Sequence, residues 1–230
     1  MDRFEPPADA PHEPVNPAAL RSPYAGDPLT EDVVSPDPFA QFAAWLDDAA
    51  RAGLPEANAM ILATSGADGW PDARTVLLKG YGHDGFVFYT NYTSRKGREL
   101  TENPRAALVF PWHAVRRQIR VRGTVERLDA EASAEYFHSR PYGSQLGAWA
   151  SERQSAVISG RGVLRERFAE LSRRWPEGTT VPLPEFWGGY RVRPSEIEFW
   201  QGGADRLHDR LRFRRDTTAG AEWTMERLAP

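Results

Sequence analysis

The chain has 230 residues, of which 40% are hydrophobic, enough for the packed core of one large domain or two small ones. Its formal net charge of -3 argues against nucleic acid as the main partner. The absence of cysteine excludes disulfides, thiolate metal sites and cysteine nucleophiles, and it fits a reducing cytoplasm. No run approaches the roughly 20 apolar residues of a membrane span, and the acidic, proline-rich start is unlike a signal peptide. We therefore expect a cytoplasmic globular protein that binds neither nucleic acid nor membrane.

The first predicted element is a mobile arm over residues 1–34, which are rich in Pro, Ala, Asp and Glu and lack hydrophobic periodicity. Residues 35–230 are expected to form a single domain. This domain opens on an amphipathic helix, because Asp37 and Pro38 are typical of a helix start and Gly53 of a helix end. The apolar stripe of this helix is expected to cover one side of a core.

A strand-like period follows the helix. Turns at 66–69 and 82–85 separate three short apolar runs, which predicts a three-stranded meander. A brief helix capped by Ser94 and two more strands come next. Two or three helices between about residues 130 and 175 and four final strands complete the chain. Antiparallel strands without a long crossover favour an α+β fold, a closed or nearly closed β-barrel with flanking helices.

The local signatures of several enzyme classes are missing. The five histidines occur at no spacing that puts two metal ligands on one helical face, so no metal site is expected. GxSxG, GxGxxG and P-loop motifs are absent, and the carboxylates form no obvious acid and base pair. What remains is a recurring combination of basic residues with hydroxyl or phenol groups.

Two clusters show this combination. They contain Ser94, Arg95 and Lys96 at a predicted helix start, and Tyr136, Arg140 and Ser144 at intervals of four around a helix and its turn. A dianionic phosphate needs such donors in place of its water, and a helix N-terminus adds favourable N–H groups. Two phosphate sites are one interpretation, and solvated surface charge with a capping serine is the other.

A further dense group of polar side chains follows a strand-like run that breaks at Gly202 and Gly203. Its members are Arg206, His208, Asp209 and Arg210. A hairpin whose charges face water and a functional loop both fit this pattern. In a functional loop the two glycines would let the backbone pass close to stacked rings, where a side chain would collide.

Several segments, in the same order along the chain, resemble the pyridoxamine 5′-phosphate oxidase family. They are RTVLLK (74–79), FYTNYTSRK (88–96), NPRAALVFPWH (103–113), YFHSRPYGSQLGAWAS (136–151), PEFWGGYRV (184–192), EFWQGGADRLHDR (198–210) and the terminal RLAP. The resemblance runs from Pro38 to Pro230. It implies a split FMN-binding β-barrel that works as a homodimer with two sites at the interface.

The resemblance also implies the residues of the site. FMN would be bound by Arg74, Thr75, Val76, Leu77, Leu78, Lys79, Tyr89, Thr90, Arg95, Lys96, Gln118, Gln154, Ser155, Trp200 and Arg210. The substrate phosphate would be held by Lys79, Tyr136, Arg140 and Ser144. The loop residues Arg206, Leu207 and His208 would face the pyridine ring, with Arg206 and His208 as the catalytic pair. Arg21 and Tyr24 match a mobile segment that closes over the substrate.

The activity implied is oxidation of pyridoxamine or pyridoxine 5′-phosphate to pyridoxal 5′-phosphate by dioxygen, with FMN as cofactor. Hydrogen peroxide and, from the amine, ammonia would be released. Between Trp149 and Gln154 the chain is one residue longer than the family pattern, which puts the assignment of Gln154 and Ser155 in doubt. A flavin- or deazaflavin-dependent reductase on the same barrel and a pyridoxal phosphate-binding protein are the alternatives.

Overall fold

The computed structural model describes residues 15–20, 23–24, 27–216 and 222–230. Arg21 lies outside these ranges, as does the first part of the predicted arm. Within the described residues the helices are α1 (Pro38–Arg51), α2 (Arg95–Glu102), α3 (Ala130–Ser139), α4 (Tyr142–Ala150) and α5 (Arg161–Arg174). The strands are β1 (Ala59–Ser65), β2 (Pro71–Leu77), β3 (Gly80–Gly82), β4 (Gly85–Asn91), β5 (Arg105–Trp112), β6 (Arg117–Arg127), β7 (Trp187–Gln201), β8 (Asp209–Arg214) and β9 (Thr224–Arg227).

Helix α1 begins and ends where the sequence predicts. The Asp37 carboxylate accepts a hydrogen bond from the Phe39 N–H at 3.0 Å, and Pro38 occupies the first turn, where an N–H would have no helical partner. Gly53 follows the helix with a φ of +74°, a conformation that glycine adopts without steric penalty. The apolar stripe of α1 packs into the sheet, where Phe42 is fully buried.

The described strands form one antiparallel sheet in the order β2-β1-β5-β6-β7-β4-β3, and β8 and β9 extend it from the second half of β7. The end strands β2 and β3 are joined by Leu78 and Lys79 alone. The sheet must therefore curl until its ends approach each other, which gives a half-barrel with the helices outside. The predicted antiparallel β-barrel with flanking helices is confirmed.

The predicted three-stranded meander is wrong in its pairing. Strand β1 pairs with β2, but β4 lies beside β7, with Phe88 opposite Tyr190. The chain turns away from β2 at Leu78, whose side chain enters the core, and the Lys79 N–H then bonds to the Val87 carbonyl at 2.8 Å. Alternating apolar residues identify a strand, but they do not determine which strand pairs with it.

The longest strand, β7, replaces two separate predicted strands. Along one edge it pairs with β6, and along the other it pairs first with β4 and then with β8. Pro194 falls between these two neighbours, so its missing N–H breaks no ladder there. The register shifts opposite it, at Gly123, where a Cβ would lie 2.0 Å from the Arg193 carbonyl oxygen.

Two clusters of buried side chains stabilise the fold. The larger fills the half-barrel, and the smaller lies beside α3, α4 and α5 and contains Phe137 and Trp187. Leu29 and Val34 are 5% and 6% exposed and belong to the larger cluster, although both fall within the segment predicted as an arm. The packed part of the described chain therefore already includes Leu29.

Candidate active site

A cavity of about 640 Å³ opens where β2 and β4 meet α2 and α4. Small-molecule sites usually measure about 300–1,000 Å³. Eleven of the residues assigned by resemblance line it: Thr75, Val76, Leu77, Lys79, Tyr89, Thr90, Lys96, Tyr136, Arg140, Ser144 and Gln154. The cavity thus brings together residues from two predicted groups, one for FMN and one for the substrate phosphate.

Arg140 places a half-buried positive charge in the cavity wall. It follows α3, and its guanidinium carbon lies 4.8 Å from the centre of the Trp187 ring. One terminal nitrogen, Nη1, is buried and has no hydrogen-bond partner among the described residues. Burial lowers the pKa of Arg140, because water no longer stabilises its charge. A buried N–H donor without a partner is unfavourable unless an anion accepts from it, so this guanidinium suits a phosphate.

Two lysines add positive charge to the same cavity. Lys96 lies in the first turn of α2, and its ammonium donates to the Thr90 hydroxyl at 3.3 Å. Burial, and after it the charge of Arg74, lowers the pKa of Lys96. Lys79 follows β2, and its ammonium lies 6.0 Å from the centre of the Tyr136 ring. An anion in the cavity would offset the cost of bringing these cations together and of burying Lys96.

Three stacked aromatic rings line another part of the cavity. The rings of Tyr89 and Tyr136 are stacked with their centres 3.9 Å apart, and Trp187 continues the stack 5.5 Å from Tyr89. Burial, followed by the neighbouring Tyr136, raises the pKa of the Tyr89 phenol, so the phenol stays protonated at neutral pH. Aromatic rings beside a group of cations suit a ligand that combines a flat ring with a phosphate.

Arg74 and Arg95, both assigned to FMN, lie in a charge network instead of the cavity wall. The two oxygens of Glu99 accept hydrogen bonds from them, from Arg74 Nη2 at 3.2 Å and from Arg95 Nε at 2.9 Å. Asp72 forms ion pairs with both arginines, at 2.6 and 3.2 Å. Burial opposes the shift, but hydrogen bonds from Thr64, Arg95 and Arg74 hold the pKa of Glu99 below its usual value. The network ties β2 to the start of α2. Leu78, also assigned to FMN, is buried in the core.

Gln118, Trp200 and Arg210 form a separate group of FMN-assigned residues on β6, β7 and β8. The strand register puts Trp200 opposite both of the others, so the three lie in one row across the sheet. None of the three is among the described residues that line the cavity. The Arg210 guanidinium is held by Glu198 at 2.8 Å and by the Ala229 carbonyl at 3.0 Å. A single chain therefore does not bring all the FMN-assigned residues together.

The loop between β7 and β8 carries the predicted catalytic residues. Nδ1 of His208 accepts a hydrogen bond from the Gly203 N–H at 3.1 Å, so a neutral His208 carries its proton on Nε2. The His208 ring lies 4.7 Å from the Trp200 ring. Arg206 is exposed with a φ of 64°, and Leu207 is 73% exposed. Arg206 and Leu207 are thus exposed to solvent, and none of the three loop residues lines the cavity in the described chain.

Tyr24 covers this loop from the N-terminal side. Its ring lies 5.8 Å from the ring of His208 and 6.2 Å from that of Trp200. A Cβ on Gly202 would lie 3.2 Å from the Tyr24 ring, and one on Gly203 would lie 2.1 Å from the Leu207 carbonyl oxygen. The two glycines therefore permit the close backbone approach that the sequence suggested.

Some residues of the cavity were not assigned from the sequence: Asn91, Pro141, Gly147, Ala148, Ser151 and Trp187. The Asn91 amide donates to the carbonyls of Ser151 and Glu152 at 3.0 and 2.8 Å and so fastens the end of α4 to β4. In the sequence, the signal for Asn91 as a cavity residue is its position directly after Thr90, at the end of a predicted strand. Ser155 does not line the cavity, but its hydroxyl accepts the Arg95 N–H at 3.3 Å.

The fold and the cavity define a class of protein, a half-barrel with a cationic cleft for a small, flat, anionic ligand. Within the described residues there is no group of three or more His, Asp or Glu side chains that could hold a metal ion. The helices of the described ranges are too short or too polar to cross a membrane.

Comparison with known proteins gives the family. A family model described as pyridoxamine 5′-phosphate oxidase matches residues 46–174, and one described as the pyridoxine 5′-phosphate oxidase C-terminal dimerisation region matches residues 187–230. A relative from Salinibacter ruber named pyridoxine/pyridoxamine 5′-phosphate oxidase is 56% identical over 213 residues, 93% of this chain and 98% of the relative. One of the same name from Frankia casuarinae is 59% identical over 202 residues, 87% of this chain and 75% of the relative. The chain belongs to the pyridoxamine 5′-phosphate oxidase family, a family of oxidoreductases.

Solved structures agree with the fold. The crystal structure of PhzG from Burkholderia lata 383, in complex with tetrahydrophenazine-1-carboxylic acid, has a TM-score of 0.81 at 33% identity and covers 89% of this chain and 98% of PhzG. A pyridoxamine 5′-phosphate oxidase-related, FMN binding protein from Nostoc punctiforme has a TM-score of 0.68 at 18% identity, covering 86% of this chain and 100% of that protein. The second likeness concerns the fold alone.

Proposed function

We propose that this chain is an FMN-dependent oxidase that converts pyridoxamine 5′-phosphate and pyridoxine 5′-phosphate to pyridoxal 5′-phosphate, with dioxygen as the acceptor. The products besides pyridoxal 5′-phosphate are hydrogen peroxide and, from the amine, ammonia. Membership of the family supports the class of reaction. The observation that carries the substrate assignment is the buried Arg140 Nη1, which has no hydrogen-bond partner among the described residues of its surroundings.

The substrate phosphate is assigned to the cavity wall around Arg140. Tyr136 lies one helical turn before it on α3, and Ser144 lies in the first turn of α4. Lys79 reaches the same cavity from the corner after β2. A phosphate monoester carries a charge between -1.5 and -2 at neutral pH, about enough to compensate Lys79 and Arg140. Hydroxyl donors from Tyr136 and Ser144 would satisfy its remaining oxygens.

The residues of the cavity also fit a flavin nucleotide. Strand β2 contributes Thr75, Val76 and Leu77 to the cavity wall. Lys96 contributes a partly desolvated cation that suits a phosphate. Arg95 and Ser155 lie at the start of α2, where backbone N–H groups and the helix dipole favour an anion. When bound, FMN would supply the redox chemistry, taking a hydride equivalent from the substrate and passing two electrons on to dioxygen.

A second copy of the chain would complete this site. Gln118, Trp200 and Arg210 have the residue types expected around a flavin, yet they do not line the cavity of their own chain. The family region matched by residues 187–230, which includes Trp200 and Arg210, is described as a dimerisation region. A homodimer with two sites at its interface accounts for both groups of residues.

Arg206 and His208 would reach the substrate from the second copy. Arg206 is an exposed cation that can orient the reacting group. Because His208 Nδ1 accepts the Gly203 N–H, its Nε2 meets the substrate as a hydrogen-bond donor when the ring is neutral. This geometry favours a positioning role for neutral His208 over proton removal.

The likeness to PhzG suggests a second candidate, an enzyme of the same barrel that acts on a different ring system. A carboxylate, as in the ligand of PhzG, carries one negative charge and would compensate only one of the two cations Lys79 and Arg140. A phosphate monoester compensates both, so we favour the oxidase. A protein that only stores pyridoxal 5′-phosphate would use the same cradle. Turnover is the property that separates it from the oxidase.

The test is an aerobic assay of the purified, FMN-loaded protein with pyridoxamine 5′-phosphate. We expect pyridoxal 5′-phosphate, followed by its absorbance, and hydrogen peroxide in equal amount. Dephosphorylated pyridoxamine is the matched control, and its kcat/KM should be lower by about 100-fold or more, because the buried Nη1 of Arg140 stays unpaired and Lys79 loses its anionic partner. No product from FMN-loaded protein would refute the oxidase, and tight product binding without turnover would identify the storage protein.

A further inference from the structure

The segment that precedes α1 is attached to three neighbouring strands at one end of the sheet. Three alternate residues of this segment each contact a different strand, at or next to the end of that strand. The three pairs are Asp27 with Gln201 of β7, Leu29 with Asp209 of β8, and Glu31 with Arg227 of β9. We call these six residues the clip. None of the six, Asp209 included, belongs to the proposed FMN or substrate contacts.

Leu29 is the centre of the clip. Its side chain is 5% exposed and lies in the larger core. Its N–H donates to Asp209 Oδ2 at 3.0 Å, and its carbonyl accepts from Arg227 Nη2 at 2.8 Å. Buried backbone groups must find partners, and here two charged side chains take the place of a neighbouring strand.

Arg227 contacts three other members of the clip, Leu29, Glu31 and Asp209. Its Nε and Nη2 each contact one carboxylate oxygen of Glu31 at 2.8 Å, and its Nη1 contacts Asp209 Oδ1 at 2.6 Å. A bidentate pair fixes the orientation of both side chains, which a single surface ion pair does not do. The hydrogen bond from Arg227 lowers the pKa of Glu31 to about 2, so the clip stays charged throughout the neutral range.

Two members of the clip are close in sequence to the rings of Tyr24 and His208, which pack with Trp200. Along the N-terminal segment, Asp27 comes three residues after Tyr24, whose ring contacts the other two rings. Along the loop, Asp209 directly follows His208 and is the first residue of β8. The Asp209 carboxylate therefore joins the segment that follows Tyr24 to the first residue of β8, directly after His208.

We propose that Asp209 and Arg227 are positioning residues, which clip the segment before α1 across β7, β8 and β9 and thereby hold Tyr24 against Trp200 and His208. The kinetic consequence rests on the proposed function, whereas the clip itself is a property of the folded chain. Loss of the clip should loosen the cover over the substrate loop and weaken substrate capture. FMN binding should not change, because the side chains of the clip form no hydrogen bond with an FMN-assigned residue in the described chain.

The first experiment measures the clip without turnover. Asp209→Ala removes the acceptor of the Leu29 N–H, so amide exchange at Leu29 should accelerate by about tenfold or more. Chymotrypsin should also cut faster after Tyr24 in Asp209→Ala and in Glu31→Gln, the second variant being a mild change at an exposed side chain. Unchanged exchange and unchanged cleavage in both variants would overturn the proposal.

The matched control is Glu226→Gln. Glu226 pairs with Arg212 at 2.6 Å on the same β8–β9 hairpin, but it does not contact the segment before α1 in the described chain. This variant removes one carboxylate from a comparable ion pair and should behave like the wild type in exchange and cleavage. If it accelerated both to the same extent, general loosening of the hairpin would be the cause, and the clip would be refuted.

The second experiment is steady-state kinetics of the FMN-loaded variants. We expect KM for pyridoxine 5′-phosphate to rise about threefold to tenfold in Glu31→Gln and Asp209→Ala, with kcat and FMN affinity within about twofold of wild type. Faster cleavage after Tyr24 with an unchanged KM would show a merely structural clip and would overturn the positioning role. A wild-type protein without turnover would refute the oxidase instead, and the cleavage after Tyr24 would then decide the clip alone.

Discussion

At the scale of single residues, Arg140 carries the clearest indication of an anionic ligand. Its guanidinium lies 4.8 Å from the ring of Trp187, and Arg174 lies at the same distance from the ring of Trp175. The two arginines differ in their surroundings, because Arg174 is exposed whereas Arg140 has a buried donor without a partner in the described structure. The contact with a tryptophan ring is therefore common to both arginines. The buried donor without a partner distinguishes Arg140 as the candidate for binding an anion.

We predict that Arg140→Met lowers kcat/KM for pyridoxine 5′-phosphate by about 10- to 100-fold, the value of a charge-assisted hydrogen bond to phosphate. Most of the change should be in KM, since the phosphate is bound equally in the ground state and the transition state. FMN affinity, measured by fluorescence titration, should change little. Arg174→Met is the control and should match the wild type. Equal loss of FMN and substrate binding would contradict the assignment of Arg140 to the substrate.

At the scale of elements, β2 and α2 are joined through Glu99, whose carboxylate lies between Arg74 and Arg95. We predict that Glu99→Gln lowers the free energy of unfolding at pH 7 by about 1–3 kcal/mol, because charge-assisted hydrogen bonds are weakened. The folded-state pKa of Glu99 is below its usual value of 4.5, so the carboxylate stabilises the fold above that pH. Its contribution is lost as the pH falls from 4.5 through the folded-state pKa.

Urea unfolding of wild type and Glu99→Gln between pH 7 and pH 3 measures this prediction. The difference between the two proteins should be largest near neutral pH and should shrink in acid. Glu102→Gln is the control on the same helix, because Glu102 accepts only an exposed hydrogen bond from the Ala67 N–H in the described structure. A difference that grows in acid would contradict the role assigned to the Glu99 carboxylate.

The loop between β7 and β8 depends on glycine for its path. A Cβ on Gly203 would lie 2.1 Å from the Leu207 carbonyl oxygen, so Gly203→Ala must displace the loop and its hydrogen bond to His208 Nδ1. Because a misplacement of about 1 Å can cost 100-fold in rate, we predict that kcat falls by about tenfold or more. Gly162→Ala is the control, since a Cβ there meets open space. Wild-type kcat in Gly203→Ala would show that the loop geometry is not needed.

Most elements could be predicted from the sequence because helix caps and apolar periods are local signals. Asp37, Pro38 and Gly53 bracket α1 in both prediction and structure. The partner of β4 could not be predicted in the same way, because the apolar pattern of a buried strand is compatible with more than one neighbouring strand. The turn at Leu78 and Lys79 decides the pairing, and it depends on the packing of the whole barrel.

The same difference between local signals and long-range contacts applies to the site. The residues on β2, β4 and α4 come from short segments with distinctive polar residues, and the structure gathers eleven assigned residues in one cavity. The segment around Leu29 was predicted as an arm, because its proline and aspartate content outweighs two apolar residues in any local average. The backbone groups of Leu29 find their partners in Asp209 and Arg227, which are distant in sequence. Such long-range satisfaction of backbone groups has no local signal.

At the scale of the whole molecule, the assigned residues fall into two groups that one chain does not unite. Arg140 lies in the cavity, whereas Arg206 and His208 lie on a loop whose residues do not line it in the described chain. The loop lies within the region matched to the dimerisation family, residues 187–230. In the proposed homodimer, each site takes Arg140 from one copy and Arg206 from the other.

Mixed dimers test this arrangement. Activity is measured with substrate far below the wild-type KM, where the rate reports kcat/KM. Arg140→Met and Arg206→Met homodimers each carry two damaged sites and should be weakly active under this condition. When the two variants are unfolded, mixed in equal amounts and refolded, half of the dimers should be mixed, and each mixed dimer has one site with both wild-type residues. Activity should therefore recover to about a quarter of the wild-type value. If both residues served the same chain's site, every site would remain damaged, and mixing would give no more than the average of the two parent activities.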